Sequence, residues 1–281
     1  LKEIHIPHSV TQIGEKAFFG CKGLADENSY VIFRNKLYSI CSHNGAMVIP
    51  DGVTEIGASA FSGCIHLKEI HIPDSVTQIG EDAFLGCEGL ADENGYVIIR
   101  NKLYSSFSHD TVAVIPDGVK EIGTAAFCGC ASLTEIHIPD GVTKIGESAF
   151  AGCESLKKIH IPASVKAIGI AAFYGCTSLS EIQIPDEVEE IGAAAFFTCT
   201  SLAEVCISAG VTEIEESIFA GCESLKKIHI PDNVKRIGNG AFGRCASLSE
   251  VYIPEGVTEI GKMAFSECTS LKEIHIPDGV T

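Results

Sequence analysis

Apolar and polar residues alternate along the chain in short runs that return at a fixed interval. In the first run Leu1, Ile4 and Ile6 are apolar, and Glu3 and His5 between them are polar. A period of two is typical of a short β-strand with one buried face. A second apolar pair follows at the tenth and thirteenth positions of the run and predicts another short extended segment.

These runs belong to a repeat of 23 residues, whose leading leucines in the C-terminal part are Leu133, Leu156, Leu179, Leu202, Leu225, Leu248 and Leu271. In the N-terminal part the leading leucines are farther apart, because extra units of 20 residues intervene at 24–43 and 90–109. A unit of this size cannot bury its apolar face alone, so equivalent residues must stack on those of neighbouring units. The pattern therefore predicts a single repeat-solenoid domain over residues 1–281, with its first strands in one parallel sheet.

Other positions of the repeat indicate how the chain turns. A proline at the seventh position ends the first strand, because proline has no N–H to donate to a neighbouring strand. Glycine recurs at the fourteenth position, with Glu215 as the exception, and we expect a positive φ there. The spacing of Ala17, Phe18 and Cys21 predicts a helical or 3₁₀ turn with an apolar inner side. Residues 202–224 depart most from the pattern, so we expect a local bend there.

Ten of the 13 cysteines occupy one position of the repeat. This regularity favours a ladder of buried, reduced thiols, with disulfides between rungs or metal ligation as the alternatives. The ladder consists of Cys21, Cys64, Cys87, Cys130, Cys153, Cys176, Cys199, Cys222, Cys245 and Cys268, and Cys41, Cys128 and Cys206 lie outside it.

The two extra units differ from the standard repeat. Their segments YVIFRNKLYSI and YVIIRNKLYSS each contain two β-rich runs around an Arg-Asn pair, which indicates a hairpin. Two hairpins would then project from the N-terminal half. The alternative is a longer, irregular rung whose role is packing alone.

With these positions assigned, the pattern LxxIxIPxxVxxIGxxAFxxC resembles the BspA-type, or Treponema-type, leucine-rich repeat over essentially the whole chain. The resemblance implies an α/β-type, right-handed leucine-rich-repeat solenoid, with a parallel sheet on one face and short helical or 3₁₀ turns elsewhere. Members of this family are typically bacterial or protist surface proteins, and those with known roles tend to be adhesins. The Asn ladder of mainstream leucine-rich repeats is absent here, so horseshoe curvature is not assumed.

Composition and charge exclude several classes of partner. With 46% hydrophobic residues the chain has ample material for a core. The formal charge of −17 repels nucleic acid and anionic lipid headgroups, so neither is an expected partner. No apolar run approaches the roughly 18 residues of a membrane span, and we expect a soluble chain without membrane insertion.

Catalytic motifs occur only as coincidences. Residues 238–243, GNGAFG, match a dinucleotide-binding signature, but Gly238 is the repeat's glycine and nothing around it provides a strand-to-helix turn. The consecutive Ser108, His109 and Asp110 alternate in direction and do not form a triad. We therefore expect no enzyme, no cofactor and no catalytic residue.

If the apolar strand residues point inward, the third and fifth positions point outward and form a row from rung to rung. The fifth position varies in chemistry, which favours a ligand-binding face, although solvated residues kept from repeat duplication are the alternative. The candidate binding residues are Glu69, His71, Glu135, His137, Lys158, His160, Glu181, Gln183, Glu204, Lys227, His229, Glu250 and Tyr252.

The histidines of this row suggest two further properties. His137 and His160, with Glu135, are near enough for a shared transition metal, but an exposed row lacks an enclosing second shell, so no metal site is predicted. Histidines in a row gain charge near neutral pH, and we expect partner binding through this face to depend on pH between about 5 and 7.

The sequence thus predicts a non-catalytic protein-binding module, in the ligand-binding region of a cell-surface or secreted adhesin. The partner would be a protein on a host or neighbouring cell. The alternative is a structural spacer or intracellular scaffold without a specific ligand on the sheet face. Both ends lie within the repeat pattern without polar caps, so we also expect end-to-end self-association through exposed sheet edges.

Overall fold

The computed structural model describes residues 4–14, 16–18, 20–40 and 45–281. Leu1, Glu3 and Cys41 lie outside these ranges. The chain packs into two compact units, the first formed by residues 1–99 with 103–107 and the second by residues 100–102 with 108–281. Each unit is a stack of β-coils in which one repeat of 23 residues forms one coil, or rung. The predicted solenoid fold is confirmed in both units.

Short strands provide most of the regular structure of the first unit. Two 3₁₀ turns, Lys22–Leu24 and Glu88–Leu90, each follow a ladder cysteine. The strands are β1 (Tyr30–Phe33), β2 (Lys36–Ile40), β3 (Gly45–Val48), β4 (Glu55–Ile56), β5 (Leu67–His71), β6 (Gln78–Ile79), β7 (Tyr96–Ile99) and β8 (Lys102–Ser106), whose first residue belongs to the second unit.

The second unit repeats one three-residue and one two-residue strand in each rung. These strands are β9 (Val112–Val114), β10 (Glu121–Ile122), β11 (Glu135–His137), β12 (Lys144–Ile145), β13 (Lys158–His160), β14 (Ala167–Ile168), β15 (Glu181–Gln183), β16 (Glu190–Ile191), β17 (Glu204–Cys206), β18 (Glu213–Ile214), β19 (Lys227–His229), β20 (Arg236–Ile237), β21 (Glu250–Tyr252) and β22 (Glu259–Ile260).

Two sets of parallel sheets run through the rungs. The first sheet set pairs β3 with β5 in the first unit, and in the second unit it joins β9, β11, β13, β15 and β17, followed by β19 with β21. The second sheet set pairs β4 with β6, and then joins β10, β12, β14 and β16, followed by β18, β20 and β22. Equivalent positions pair, such as Ile159 with Ile182 in the first set and Ile145 with Ile168 in the second. The second extended segment expected from the sequence is therefore present.

The third side of each rung consists of turns. The N–H of Cys153 donates to the carbonyl of Phe150 at 3.1 Å and closes a four-residue turn. The N–H of Phe150 donates to the carbonyl of Ala172 in the next rung at 2.8 Å, and Phe173 donates to Ala195 in the same way. Because these lateral bonds recur, all three sides of the coil are tied to the neighbouring rung.

One phenylalanine from each rung forms the centre of the core. Phe150, Phe173 and Phe196 are fully buried, and their rings stack with centroids 5.3 Å apart and planes within 9°. Side chains at equivalent positions of neighbouring rungs therefore touch, as the repeat predicts. Truncation of such a ring to alanine costs about 3–5 kcal/mol in a core that cannot collapse.

Seven of the ladder cysteines are buried beside this ring stack. Each buried thiol donates to the phenylalanine carbonyl of the preceding rung, as Cys176 does to Phe150 and Cys199 to Phe173, both at 3.2 Å. Burial raises the pKa of the Cys199 thiol to about 12, so the thiol is neutral and unreactive at physiological pH. Each buried cysteine of the ladder thus adds one hydrogen bond to the preceding rung.

The first of the two extra units contains a hairpin that forms part of the stack. Strands β1 and β2 pair antiparallel around Arg34 and Asn35, which both have positive φ, and β2 continues in parallel to β4. Tyr30 and Leu37 are buried. The prediction that the hairpin projects is wrong, because its apolar residues complete the core and its second strand occupies a place in the second sheet set.

The recurrent glycine at the fourteenth position has a different cause from the one expected. None of these glycines is among the positive-φ residues of the described chain, so the positive-φ prediction is wrong. A Cβ at Gly169 would lie 2.6 Å from the backbone nitrogen of Glu147, and a Cβ at Gly192 would lie 2.4 Å from that of Ile170. The side chain is excluded because the backbone of the preceding rung is too close.

A left-handed backbone conformation is found two residues later. Ala125, Ala171 and Ala194, at the sixteenth position, have φ of 54°, 53° and 55°. The chain turns its corner at this position, although the sequence places alanine or serine there in most rungs.

The irregular rung 202–224 interrupts both sheet sets. The second set breaks between β16 and β18, where Glu215 stands in place of the close-packed glycine. The first set breaks after β17, near Ser208, whose hydroxyl lies 2.8 Å from the carbonyl of Val188. The hydrogen bonds between rungs continue on the turn side, because the N–H of Phe196 donates to the carbonyl of Ile218 at 2.9 Å. An open depression of about 540 Å³ lies over the gap in the second set.

Candidate binding face

The alternation within the first strands exposes the third and fifth positions. In β11 the side chain of Ile136 is buried, whereas Glu135 and His137 on either side of it are exposed. The same pattern recurs in β13, β15, β17 and β19. We call these exposed positions of the first sheet set the first-sheet face. Every candidate binding residue predicted from the sequence is exposed on this face.

The first unit contributes two of these residues. Glu69 and His71 in β5 lie beside Ala46 and Val48 of β3. Val48 is 63% exposed, so an apolar rung adjoins a polar one. The face of this unit therefore offers both an apolar contact and a carboxylate to a ligand.

In the second unit two ion pairs connect the third positions of neighbouring rungs. Lys158 Nζ lies 2.5 Å from Glu181 Oε1, and Lys227 Nζ lies 2.6 Å from Glu250 Oε2. The hydrogen bond to Glu181 raises the pKa of Lys158, but the pair is fully exposed and its net contribution to stability is small. Glu204 carries no ion pair within the described part of the chain, and its charge is available to a ligand.

The fifth positions carry a mixture of imidazole, amide, thiol and phenol groups. His160 pairs across the sheet with Gln183, and Gln183 pairs with Cys206. The rings of His229 and Tyr252 stack with centroids 5.5 Å apart, and Tyr252 is 52% exposed. Such groups can donate and accept hydrogen bonds and offer flat apolar contacts, which is the chemistry of protein recognition.

The face has shallow relief. One open depression of about 520 Å³ lies between β11 and β13, where Glu135, His137 and His160 line it. A second, of about 350 Å³, lies over β13, β15 and β17, where Glu181, Gln183 and Glu204 are among its lining residues. Both depressions expose their floors, so they suit projecting side chains of a macromolecule better than an enclosed small molecule.

The structure separates some of the predicted residues. Because the first set breaks between β17 and β19, Lys227, His229, Glu250 and Tyr252 belong to a different sheet from Glu135 through Glu204. In the residues that the structure describes, no three His, Cys, Asp or Glu side chains are grouped so that they could hold a metal ion.

The coincidental catalytic motifs have structural roles. Ser108 Oγ donates directly to Asp110 Oδ2 at 2.8 Å, with no imidazole between them. A Cβ at Gly238 would lie 2.6 Å from the nitrogen of Glu216, so this glycine serves rung packing rather than phosphate binding.

Sequence reasoning left several exposed apolar residues out of the candidate binding residues. Val112 and Val114, 49% and 61% exposed, lie on the first-sheet face beside Glu135 and His137, but were not counted among the binding residues. Tyr174, 46% exposed, lies on the turn side. The signal for it was the nineteenth position, which changes between aromatic and very small residues.

Comparison with known proteins gives the family. The family described as BspA-type leucine-rich repeat region matches in six copies, over residues 1–91, 97–225 and 166–281. The chain belongs to this family. Repeat proteins of the leucine-rich class are typically non-catalytic and generally mediate protein interactions.

Solved structures of bacterial leucine-rich repeat proteins are similar to this chain. One from Bacteroides ovatus has 32% identity over 88% of this chain and 55% of its own, with a TM-score of 0.58. One from Eubacterium ventriosum has 26% identity over 84% of this chain and 62% of its own, with a TM-score of 0.51. A leucine-rich cell surface protein from Faecalibacterium prausnitzii has 27% identity over 88% of this chain and 90% of its own, with a TM-score of 0.36.

The BspA-type chain therefore spans little more than half the length of two of these relatives. No curated protein matches it. Among the described residues, no helix has the length and apolarity needed to cross a membrane.

Proposed function

We propose that this chain is a protein-binding module that holds its ligand on the first-sheet face. The observation that carries the proposal is the contrast within each first strand. The inward positions are occupied by buried leucine, isoleucine and valine in rung after rung, whereas the outward positions vary among acids, bases, amides and aromatic rings. A surface that varies on a constant framework is suited to recognition.

The ligand that this chemistry fits is a protein with a basic contact surface. The chain carries a formal charge of −17, which attracts basic partners. On the face itself Glu204 has no ion pair in the described chain, while Val112 and Val114 offer apolar anchors. We infer a protein on the surface of a host or neighbouring cell as the partner, and a cell-surface or secreted location for this chain. Family membership supports both.

Protonation of the histidines on the face sets the expected pH dependence. Imidazole as a class of side chain gains positive charge as the pH falls from about 7 to about 5, and the face carries His137, His160 and His229. A basic partner is then repelled, so its affinity falls with pH over this range. Equal affinity at both ends of the range would contradict a role for these residues.

Exchange of the charges of an ion pair tests the face without a change in net charge. The double variant Lys158→Glu with Glu181→Lys keeps the pair but inverts its pattern, and we expect the fold and stability to be retained. Pull-down of surface-labelled cell proteins with the wild-type chain identifies the partner, and the same pull-down with the double variant measures the effect. A loss of about tenfold or more in affinity is expected, because like charges then face each other across the interface.

The matched control is placed on the second sheet set. Glu213→Arg with Arg236→Glu exchanges the charges of an ion pair between β18 and β20 and also leaves the net charge unchanged, but it does not touch the first-sheet face, so partner binding should be retained. The alternative function, a structural spacer or intracellular scaffold, predicts that the wild-type chain captures no partner. Capture that survives both double variants equally would also contradict binding through this face.

A further inference from the structure

The turn side of the second unit carries an outer pair of stacked rings. Tyr174 and Phe197, at the nineteenth position of neighbouring rungs, have ring centroids 5.3 Å apart and planes within 1°. Their spacing matches that of the buried ring stack, such as Phe173 on Phe196 at 5.3 Å. An outer ring stack therefore runs parallel to the inner one for two rungs.

The outer stack ends at Phe197, where a groove begins. The next two rungs have Ala220 and Gly243 at the same position, and these small residues lie in the floor of an open groove of about 430 Å³. Met263, 71% exposed, lines the opposite end. The groove is thus a place in the outer stack from which two rings are missing.

We infer that this groove binds an aromatic side chain of a partner protein. The spacing between rungs fixes the distance at which rings stack, so a ring over Ala220 would lie on the free face of Phe197 as Tyr174 lies on its other face. Offset-stacked aromatic pairs are favourable, and the thioether of Met263 adds a sulfur contact to a ring edge. Aromatic anchors of this kind dominate many protein interfaces.

The charges at the rim differ between its two ends: Lys262 lies in the rung of Met263, whereas Glu216 lies in the rung of Ala220 and favours a basic residue beside a ring placed there. Arg244 is already paired with Glu267, its Nε lying 3.4 Å from Glu267 Oε2. Glu216, one rung beyond Phe197, is exposed and forms no ion pair in the part of the chain that the structure describes. A lysine or arginine next to the inserted aromatic residue would reach this carboxylate, and the net charge of −17 attracts such a segment. This inference does not rest on the first-sheet face.

The absence of tryptophan from the chain gives a direct measurement. The fluorescence of the peptide Ac-Arg-Trp-NH2 reports on the probe alone, and its emission should shift to shorter wavelength as the indole enters the groove. Ac-Glu-Trp-NH2 should bind several-fold more weakly because of Glu216. Ac-Arg-Leu-NH2, which has no ring, should not displace the indole peptide at equal concentration.

Two variants and a matched control locate the site. Ala220→Phe places the chain's own ring in the vacant position and should weaken binding by about tenfold or more, while the thermal midpoint is retained or raised. Phe197→Leu keeps an apolar wall without a flat ring and should weaken binding about two- to tenfold. Ala151→Phe changes the same repeat position outside the groove, on the far side of Tyr174, and should leave binding unchanged.

Several results would overturn the inference. They are an unshifted emission spectrum up to millimolar protein, equal binding to the wild type and the Ala220→Phe variant, or equal loss in the Ala151→Phe control. Binding of a methyl hexoside in the groove without binding of the indole peptide would also overturn the inference, because the occupant would then be a sugar. Charge-swapped variants of the first-sheet face should bind the peptide normally, which separates this site from the proposed function.

Discussion

At the residue scale, the corner of each rung makes two different demands on the backbone. The fourteenth position excludes a side chain because the preceding rung is too close, as at Gly192, whereas the sixteenth position has a left-handed conformation. The sequence reveals the first demand as a recurrent glycine but not its cause, since close approach and positive φ both select glycine. The second demand is not visible in the sequence, because Ala171 and Ala194 adopt the left-handed conformation at a cost of about 1–2 kcal/mol.

Replacement of alanine by glycine at the sixteenth position should stabilise the fold. We expect Ala171→Gly and Ala194→Gly each to raise the free energy of unfolding by up to about 1 kcal/mol, because relief of the left-handed strain exceeds the added entropy of the unfolded chain. Urea unfolding measures the change. Ala163→Gly, at an exposed position without positive φ, should instead lower stability by about 0.5–1 kcal/mol. A destabilised Ala171→Gly variant would contradict the assignment.

The buried thiols should make the fold sensitive to alkali. The pKa of Cys199 and of Cys245 is raised by burial to about 12 from an ordinary value of 9.0. The folded state keeps these protons where the unfolded state loses them, so stability is intact below pH 9 and falls as the pH rises toward 12. Each such thiol contributes a slope of up to about 1.4 kcal/mol per pH unit.

Urea unfolding at a series of pH values from 7 to 11 measures that slope. The Cys199→Ala variant should be less stable at neutral pH but should lose less stability per pH unit above 9. The control Cys206→Ser, at an exposed thiol on the first-sheet face, should leave the slope unchanged. An equal slope in all three proteins would exclude the buried ladder as the cause.

At the element scale, the sequence predicted both strand sets because each has a periodic apolar pattern that burial requires. The sequence predicted a hairpin around Arg34 and Asn35 but placed it outside the stack of rungs. A hairpin pattern does not show whether a third strand, here β4, pairs with the hairpin. The irregular rung 202–224 was recognisable from its substitutions. The interruption of the second sheet set at Glu215 was not predicted, because it depends on how closely the preceding rung approaches this position, and the sequence does not state that distance.

Restoration of glycine at this contact should close the second sheet set. We expect Glu215→Gly to allow β18 to approach β16, to add lateral hydrogen bonds and to raise the free energy of unfolding by about 1 kcal/mol. Hydrogen exchange should slow at the amide of residue 215 and at Thr212. Glu216→Gly, one residue farther on, is the matched control and should have neither effect. Unchanged exchange in the Glu215→Gly variant would refute the steric explanation of the gap.

At the scale of the whole molecule, the candidate face was accessible to sequence reasoning and the groove was not. A period of two within one strand tells which side chains point outward, so the exposure of Glu135 and His160 follows directly from the pattern. The groove exists because Ala220 and Gly243 follow Tyr174 and Phe197 at one position, and its shape depends on comparison across four rungs. Local periodicity cannot give such a feature, whereas alignment of the repeats can.

The fold depends on direct packing between neighbouring rungs, and the coupling energy between stacked rings measures this packing. In a double-mutant cycle, Phe150→Leu and Phe173→Leu change rings that stack at 5.3 Å, and Phe150→Leu with Phe242→Leu changes rings that do not touch. Urea unfolding of the single and double variants gives both coupling energies. We predict about 0.5–1.5 kcal/mol for the stacked pair and additivity within about 0.5 kcal/mol for the distant pair. Additivity in the stacked pair, or equal coupling in both, would contradict a core built from contacts between adjacent rungs.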